Sequence, residues 1–251
     1  MKIFLTTVAG CSTRFTQSIN KKIPKSIYYK NVPQSTLLYR MVNTVSNYDK
    51  IVIVGGYCCN LLEEYINQVF SSKIKDKICL VYNDKFDLYG SGWSLFKGLE
   101  KSFGFGSKID EILFAEGDLY FSKSEFSLVK KEQNNVITIN NQPIEAKKSV
   151  ALYFDSLNRP HYIYDTSHGL LTINEPFLSI YNSAQIWKFK DVDLVKSICF
   201  ELGPEKHKGT NLTIINEYFR RVANNHDSIK VIRLKKWVNC NTINDFDELT
   251  F

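Results

Sequence analysis

The sequence lacks any long apolar run, and nothing in it approaches the roughly 20 apolar residues that a membrane-spanning helix needs. The apolar start, residues 1–8, is too short for the core of a signal peptide and runs straight into small residues. The expectation is a soluble, cytoplasmic protein that engages no membrane. Six cysteines are present (Cys11, Cys58, Cys59, Cys79, Cys199 and Cys240), but they form no Cys-x-x-Cys pair and no regular framework. Metal or disulfide scaffolding is therefore not expected, and a reducing compartment is. His161, His168, His207 and His226 show no zinc spacing, and no Ser-His-Asp or Cys-His arrangement is suggested. Strong charge of one sign is missing as well. The net charge of +6 is mild and the lysines are scattered, so a nucleic-acid partner is not expected and a phosphorylated small molecule accounts for the balance as well. Low-complexity segments, internal repeats and linkers are also lacking, and 251 residues suit one α/β domain with a large core.

What is present is an alternation of strand and helix patterns. An apolar run at 3–8 ends abruptly in Ala9, Gly10, Cys11, Ser12 and Thr13, the pattern of a buried strand emptying into a tight loop. Gly10 can take φ > 0 and admit a ligand close to the backbone, while Ser12, Thr13 and Arg14 add donors and Lys25 a point charge. Such a loop suits a polyphosphate at the carboxyl end of a strand. A short extended segment is expected at 26–29. Helical spacing follows at 36–45, 61–70, 93–99 and 126–131, with strands at 51–54, 78–82 and 111–115. That order predicts a doubly wound, mainly parallel sheet with ligands at the strands' carboxyl ends. From residue 136 the pattern shifts to short strands at 136–139, 150–154, 161–164, 170–173 and 177–181, expected to be partly antiparallel. Helices at 192–200 and 212–223, a strand at 229–234 and a strand turning into a closing helix over 237–251 complete the chain.

Two further stretches suggest chemistry. The apolar strand from Glu111 ends in Glu116-Gly117-Asp118, and an ionised Asp at a strand's carboxyl end, facing a phosphate loop, is well placed to hold Mg²⁺. Glu116 falls on the same side of an extended chain as Asp118 and is read as an auxiliary charge. The polar, glycine-containing loop 82–92 leads into a helix at Trp93-Ser94-Leu95, and such a loop can lie along a base or ribose.

Ala9-Gly10-x-Ser12-x-Arg14-Phe15, closed by Pro24-Lys25, resembles the signature of the nucleotidyltransferases that make nucleoside-diphosphate sugars and CDP-alcohols. Residues 51–57 and the Asn83-Asp84-Lys85-Phe86…Ser94-Leu95 stretch resemble the bacterial phosphocholine cytidylyltransferases within that group. The resemblance implies a Rossmann-like mixed, mainly parallel sheet (the nucleotide-diphospho-sugar transferase fold) with an antiparallel acceptor subregion. Residues 1–251 then form a single domain, 1–134 the nucleotide-binding half and 135–251 the acceptor-binding half with its closing helix. Ala9, Gly10, Cys11, Ser12 and Thr13 would wrap the phosphates of CTP, with Arg14 and Lys25 neutralising them as catalytic residues. Asn83, Gly90, Ser91 and Ser94 would hold the nucleoside, and Asp118 would bind Mg²⁺. The family's second metal-binding Asp falls at Asn241, a departure that removes a charge; Asn is also among the best helix N-caps. Asp245 is read as a first-turn helix charge.

The aromatic cage of the choline-handling members is absent near 146–149 and 212–216, which disfavours phosphocholine. Lys148 and Asn182, with Arg159 and Lys208, are expected instead to meet a carboxylate or second anionic group. Relatives act on phosphocholine, aminoethylphosphonate, sugar phosphates and phosphorylated L-glutamine on the route to capsular phosphoramidate. The last carries a carboxylate and is the first expectation, giving a CDP-linked product and pyrophosphate for surface polysaccharide modification. A sugar-1-phosphate nucleotidyltransferase or a glycosyltransferase of related fold, and a catalytically silent nucleotide-binding module motivated by Asn241, are the alternatives.

Overall fold

A computed structural model describes residues 1–146, 148–164, 170–224 and 228–249; Lys147, His168, His226 and the last two residues of the closing segment lie outside the described residues. The chain begins with β1 (Lys2–Thr7), whose alternate side chains enter opposite faces of the sheet: Ile3 and Leu5 join one apolar cluster and Phe4 the other. After α1 (Thr13–Ile19) come α2 (Leu37–Thr44), β2 (Lys50–Gly55), α3 (Cys59–Val69), the single-turn α4 (Ser72–Lys75), β3 (Ile78–Tyr82) and α5 (Ser91–Phe103). β4 (Glu111–Glu116), β5 (Leu119–Phe121), α6 (Lys123–Lys131) and β6 (Asn135–Asn140) lead into the hairpin of β7 (Ala151–Asp155) and β8 (Pro160–Tyr162). The long β9 (Phe177–Phe189), α7 (Val192–His207), α8 (Leu212–Asn224), β10 (Ile229–Leu234), β11 (Trp237–Asn239) and α9 (Ile243–Asp247) follow.

The main sheet runs β10-β6-β9-β4-β1-β2-β3, with β7 and β8 attached to β9. β1 pairs in parallel with β2 and β4, and β2 with β3, whereas β9 is antiparallel to both β4 and β6. The fold is thus the mixed, mainly parallel α/β architecture read from the alternation, and β9 carries one continuous sheet through both halves of the chain. Both sheet faces are covered, as β1, β2 and β4 require with their near-continuous apolar sequences. Leu95 and Leu99 of α5 and Tyr218 and Phe219 of α8 pack in one apolar cluster, and Leu38 and Met41 of α2 with Phe126 of α6 in the other. Among the described residues no helix is long and apolar enough to cross a membrane.

Four local expectations change. Residues 25–27 form a 3-10 turn rather than an extended segment, and 170–173 are irregular rather than a strand. α1 occupies what reads as loop. β9 extends eight residues beyond the segment expected at 177–181, because Asn182, Ser183, Gln185 and Lys188 interrupt its apolar pattern. Each of these polar residues is buried; Lys188, fully enclosed, donates to the carbonyls of Lys130 (3.0 Å) and Glu132 (2.6 Å) and lies 3.6 Å from the equally buried Glu111. Burial pushes the Lys188 ammonium down to about 8. A buried charge persists only where partners replace water, and here two carbonyls and a carboxylate do.

Candidate active site

The carboxyl ends of β1 and β4 open into one cavity of about 350 Å³. The loop after β1 hangs from the neighbouring β2 loop: Val8 N–H donates to Val54 O (2.8 Å) and Tyr57 N–H to Ala9 O (3.0 Å). Close packing fixes this arrangement. A Cβ at Gly56 would lie 2.5 Å from Phe86 Cβ and 2.8 Å from Ala9 O, and one at Gly117 would lie 2.3 Å from Val8 Cγ1. Gly10 behaves differently from expectation: Ser12, not Gly10, takes the left-handed conformation (φ 51°), and a Cβ at Gly10 would meet nothing within 4 Å. Neither strain nor crowding within the chain explains Gly10, so its use is the open approach it leaves over the cavity. Among the described residues the backbone N–H groups of 9–14 donate to no acceptor, which leaves them for an anion.

Opposite this loop stands a charged centre assembled from both ends of the chain. β11 pairs antiparallel with β5, Asn239 against Leu119, and Cys240 N–H donates to Asp118 O at 2.8 Å. That register carries Asn241 across from Asp118. Lys25 Nζ then donates to Asp118 Oδ2 (2.8 Å) and Asn241 Oδ1 (3.0 Å), and Arg14 donates to the same Asn241 oxygen at 3.2 Å. The helix-cap reading of Asn241 gives way, because Thr242 caps α9 through a capping box with Asp245. Asp245 is the first-turn charge expected, and its Oδ2 also accepts the Asn241 backbone N–H at 2.7 Å.

Asp118 Oδ1 is buried without a partner, an orphaned acceptor in a site lined by cations. Among the described residues no group of three or more His, Cys, Asp or Glu side chains gathers to hold a metal. One carboxylate with a spare oxygen nevertheless suits Mg²⁺, which commonly binds through one or two carboxylates plus substrate phosphates rather than in an all-protein cage. Asp118, with Asn241 beside it, fits that manner of binding.

Of the residues singled out in the sequence, Ala9, Gly10, Ser12, Thr13, Arg14, Lys25, Gly90, Ser91, Ser94, Asp118 and Asn241 all line the cavity. Cys11 does not. Asn83 is a correction: it is fully buried, donates to Ser94 Oγ (2.9 Å) and accepts from Lys85 N–H (2.9 Å), so it shapes the loop rather than lining the cavity. Lys148 and Asn182 also stand apart from it. Lys148 is an exposed partner of Glu145 (2.8 Å), and Asn182 is buried in β9, donating to Pro143 O and Ser149 Oγ. Neither lines the cavity. Arg159 is held by Asp155. Lys208 alone of those cations comes near: its carbonyl accepts the Gly90 N–H at 2.7 Å, and its ammonium lies 5.3 Å from the centre of the Tyr89 ring.

The sequence reading missed the aromatic wall of Phe86 and Tyr89, and the role of Thr7. It undervalued Glu116, which accepts from Thr7 Oγ1 at 3.0 Å and from Asn211 Nδ2. Removal from water and the neighbouring Asp118 carboxylate push the Glu116 carboxyl up to about 7. A Glu ending an otherwise apolar strand, two residues before Asp118, is the signal that marks it.

The architecture and the position of the cavity define a class of fold. Similar solved structures include an inositol-1-phosphate CTP transferase from T. maritima (15% identity over 98% of this chain and 91% of that one, TM-score 0.64). A CTP:phosphocholine cytidylyltransferase from Streptococcus pneumoniae is also similar (12%, 98% and 96%, TM-score 0.63). So is a UDP-glucose pyrophosphorylase complexed with UDP-glucose (19%, 99% and 96%, TM-score 0.67). The chain has the Rossmann-like fold of these nucleotidyltransferases. In sequence, the family described as "Domain of unknown function (DUF6564)" matches residues 21–250, and the chain belongs to that family. No curated protein matches it.

Proposed function

We propose that the chain is a nucleotidyltransferase that transfers the CMP unit of CTP to the phosphate or phosphonate oxygen of a small head group, releasing pyrophosphate. The observation that carries this reading is the Lys25 ammonium bridging Asp118 and Asn241 across from the open N–H groups of residues 9–14. A phosphate monoester is already an anionic nucleophile near neutral pH, so the reaction needs positioning and charge neutralisation more than a general base. The acceptor oxygen attacks the α-phosphorus, a new P–O bond forms, and the bond to the β-phosphate oxygen breaks with its electron pair leaving on pyrophosphate.

Residues 9–14 bind the polyphosphate through their backbone, and Arg14 and Lys25 stabilise the charge that builds on it. Lys25 also anchors Asp118 through Oδ2, leaving Oδ1 without a protein partner. Mg²⁺ held by Asp118, with Asn241 beside it, would neutralise phosphate charge. Phe86 and Tyr89 offer faces for the base, with Gly90, Ser91 and Ser94 at its edge. The support for CTP is the resemblance of residues 82–95 to the cytidylyltransferases, together with the two CTP-named structures of the same fold. Lys148 and Asn182, the reason to expect a carboxylate on the acceptor, do not line the cavity, so the acceptor is named only as a phosphate or phosphonate monoester.

A second reading, a sugar-1-phosphate uridylyltransferase, is favoured by the UDP-glucose pyrophosphorylase structures, which superpose with TM-scores of 0.66 and 0.67. Mass spectrometry of the products formed from CTP or UTP with Mg²⁺ and pooled acceptors (phosphocholine, aminoethylphosphonate, L-glutamine phosphate, sugar 1-phosphates) separates the two. A CDP-linked conjugate is expected; a UDP-sugar transfers the assignment to the second reading, and no conjugate with any acceptor contradicts both.

A further inference from the structure

From the position of Glu116 we infer that this side chain reads the ribose cis-diol of the nucleotide and makes the site selective for ribonucleotides. The inference rests on the nucleotidyltransferase reading and adds to it a residue that reading leaves without a task. Glu116 lines the same cavity as Asp118, Lys25 and the loop after β1. Unlike Asp118, which pairs with Lys25, Glu116 forms no ion pair among the described residues and would repel a phosphate, so it suits a part of the substrate that is not phosphate. Its surroundings locate that part.

On one side, Thr7 donates to Oε2 at 3.0 Å, and the chain continues from Thr7 into the phosphate loop. On the other, Asn211 donates through Nδ2 to Oε1, while the Asn211 backbone N–H donates to Ser91 Oγ at 3.1 Å. Ser91 belongs to the wall assigned to the nucleoside. Glu116 therefore sits between the phosphate end, marked by Arg14 and Lys25, and the base end, marked by Phe86 and Tyr89. In a nucleoside triphosphate the group between base and phosphates is the ribose. A carboxylate has about four acceptor positions, and only two are filled by Thr7 and Asn211. The remaining two suit vicinal hydroxyl donors, the chemistry by which acidic side chains hold ribose diols elsewhere. Thr7 and Asn211 lock the carboxylate in place, so the discrimination does not depend on a mobile side chain.

The test is calorimetric binding of CTP, 2′-deoxy-CTP and 3′-deoxy-CTP to the full chain with Mg²⁺, on wild type and on Glu116→Gln and Glu116→Ala. Wild type is expected to bind CTP at least about tenfold more tightly than either deoxy analogue, the scale of one hydrogen bond to a charged acceptor. Glu116→Ala is expected to weaken CTP and erase that preference, and Glu116→Gln to reduce it. Binding of the three nucleotides within twofold of one another on wild type overturns the inference without touching the nucleotidyltransferase reading, and needs no variant to fold. A full ribose preference in Glu116→Ala, or a change confined to the affinity of the phosphorylated acceptor, overturns it as well. A wild-type protein that binds none of the three overturns the underlying reading and this one with it.

Discussion

Lys25 holds two oxygens from distant parts of the chain, Asp118 Oδ2 at 2.8 Å and Asn241 Oδ1 at 3.0 Å, and no other side chain makes both contacts among the described residues. Replacing it by alanine removes the cation that would meet the transferred phosphate, and kcat/KM for pyrophosphate release should fall by roughly 10²–10³. The fold should persist, since the ion pair is partly exposed and such pairs contribute little to stability; an unchanged circular dichroism melt checks this. Asn241→Asp restores a carboxylate beside Asp118, so titration of bound Mn²⁺ by electron paramagnetic resonance should show half-saturation at several-fold lower metal.

At this scale the sequence was most legible where a site residue sits in a short local motif. Asp118 is of this kind, because the end of β4 fixes where the next few residues point; Arg14 and Lys25 stood out instead by the short pattern they share with Ala9, Gly10 and Pro24. Asn83 misled for a related reason: a polar residue after a strand looks like a ligand contact, yet here it is the buried brace of Ser94. Lys148 lies in a connection that carries no periodic signal, and Asn182 interrupts the apolar pattern of the strand that buries it, so neither position could be read locally.

At the scale of elements, one glycine lets the ends of β1 and β4 meet. Gly117 lies between β4 and Asp118, and its N–H donates to Thr7 O at 3.1 Å. Gly117→Ala would press a methyl group to within 2.3 Å of Val8 Cγ1 and 2.6 Å of Thr7 O. The expected outcome is a loss of about 1–3 kcal/mol, typical of overpacking, seen as a lower midpoint in urea, together with reduced nucleotide affinity because Asp118 shifts with its strand end. β9 shows what periodicity does not reveal. A strand buried on both faces should read as apolar, but this one carries Asn182, Ser183, Gln185 and Lys188, and their partners are scattered: Pro143 and Ser149 for Asn182, Thr138 of β6 for Ser183, and Lys130, Glu132 and Glu111 for Lys188. No local pattern announces that Lys188 will find the carbonyls of Lys130 and Glu132 some 56–58 residues away in sequence. The β11–β5 pair is similar: three residues each, too short to be compelling in sequence, yet their register is what places Asn241 against Asp118.

For the molecule as a whole, the half-buried Glu116 and the fully buried Lys188 set opposite trends of stability with pH. In the folded chain the Glu116 carboxyl is pushed up to about 7 from an ordinary 4.5. The folded state therefore holds this proton more tightly, and stability falls as pH rises from about 4.5 to about 7. Lys188 titrates at about 8 against 10.5, so the unfolded chain binds the extra proton between those values and stability rises with pH there. Comparing urea midpoints across pH, Glu116→Gln should flatten the lower slope relative to wild type. Lys188→Met should flatten the upper one, while losing about 1–3 kcal/mol by leaving the carbonyls of Lys130 and Glu132 without a donor; Glu111 keeps Tyr48 and Lys190.

The central claim is that the cavity at the carboxyl ends of β1 and β4 performs nucleotidyl transfer with Lys25 at its centre. Its most direct test is pyrophosphate release from CTP with Mg²⁺ and the pooled phosphate and phosphonate acceptors, measured side by side for wild type, Lys25→Ala and Asp118→Asn. The account predicts acceptor-dependent release by wild type and a loss of at least about 100-fold in both variants. Release that is undiminished in either variant, or a wild-type protein that binds CTP yet releases no pyrophosphate with any acceptor, would contradict it.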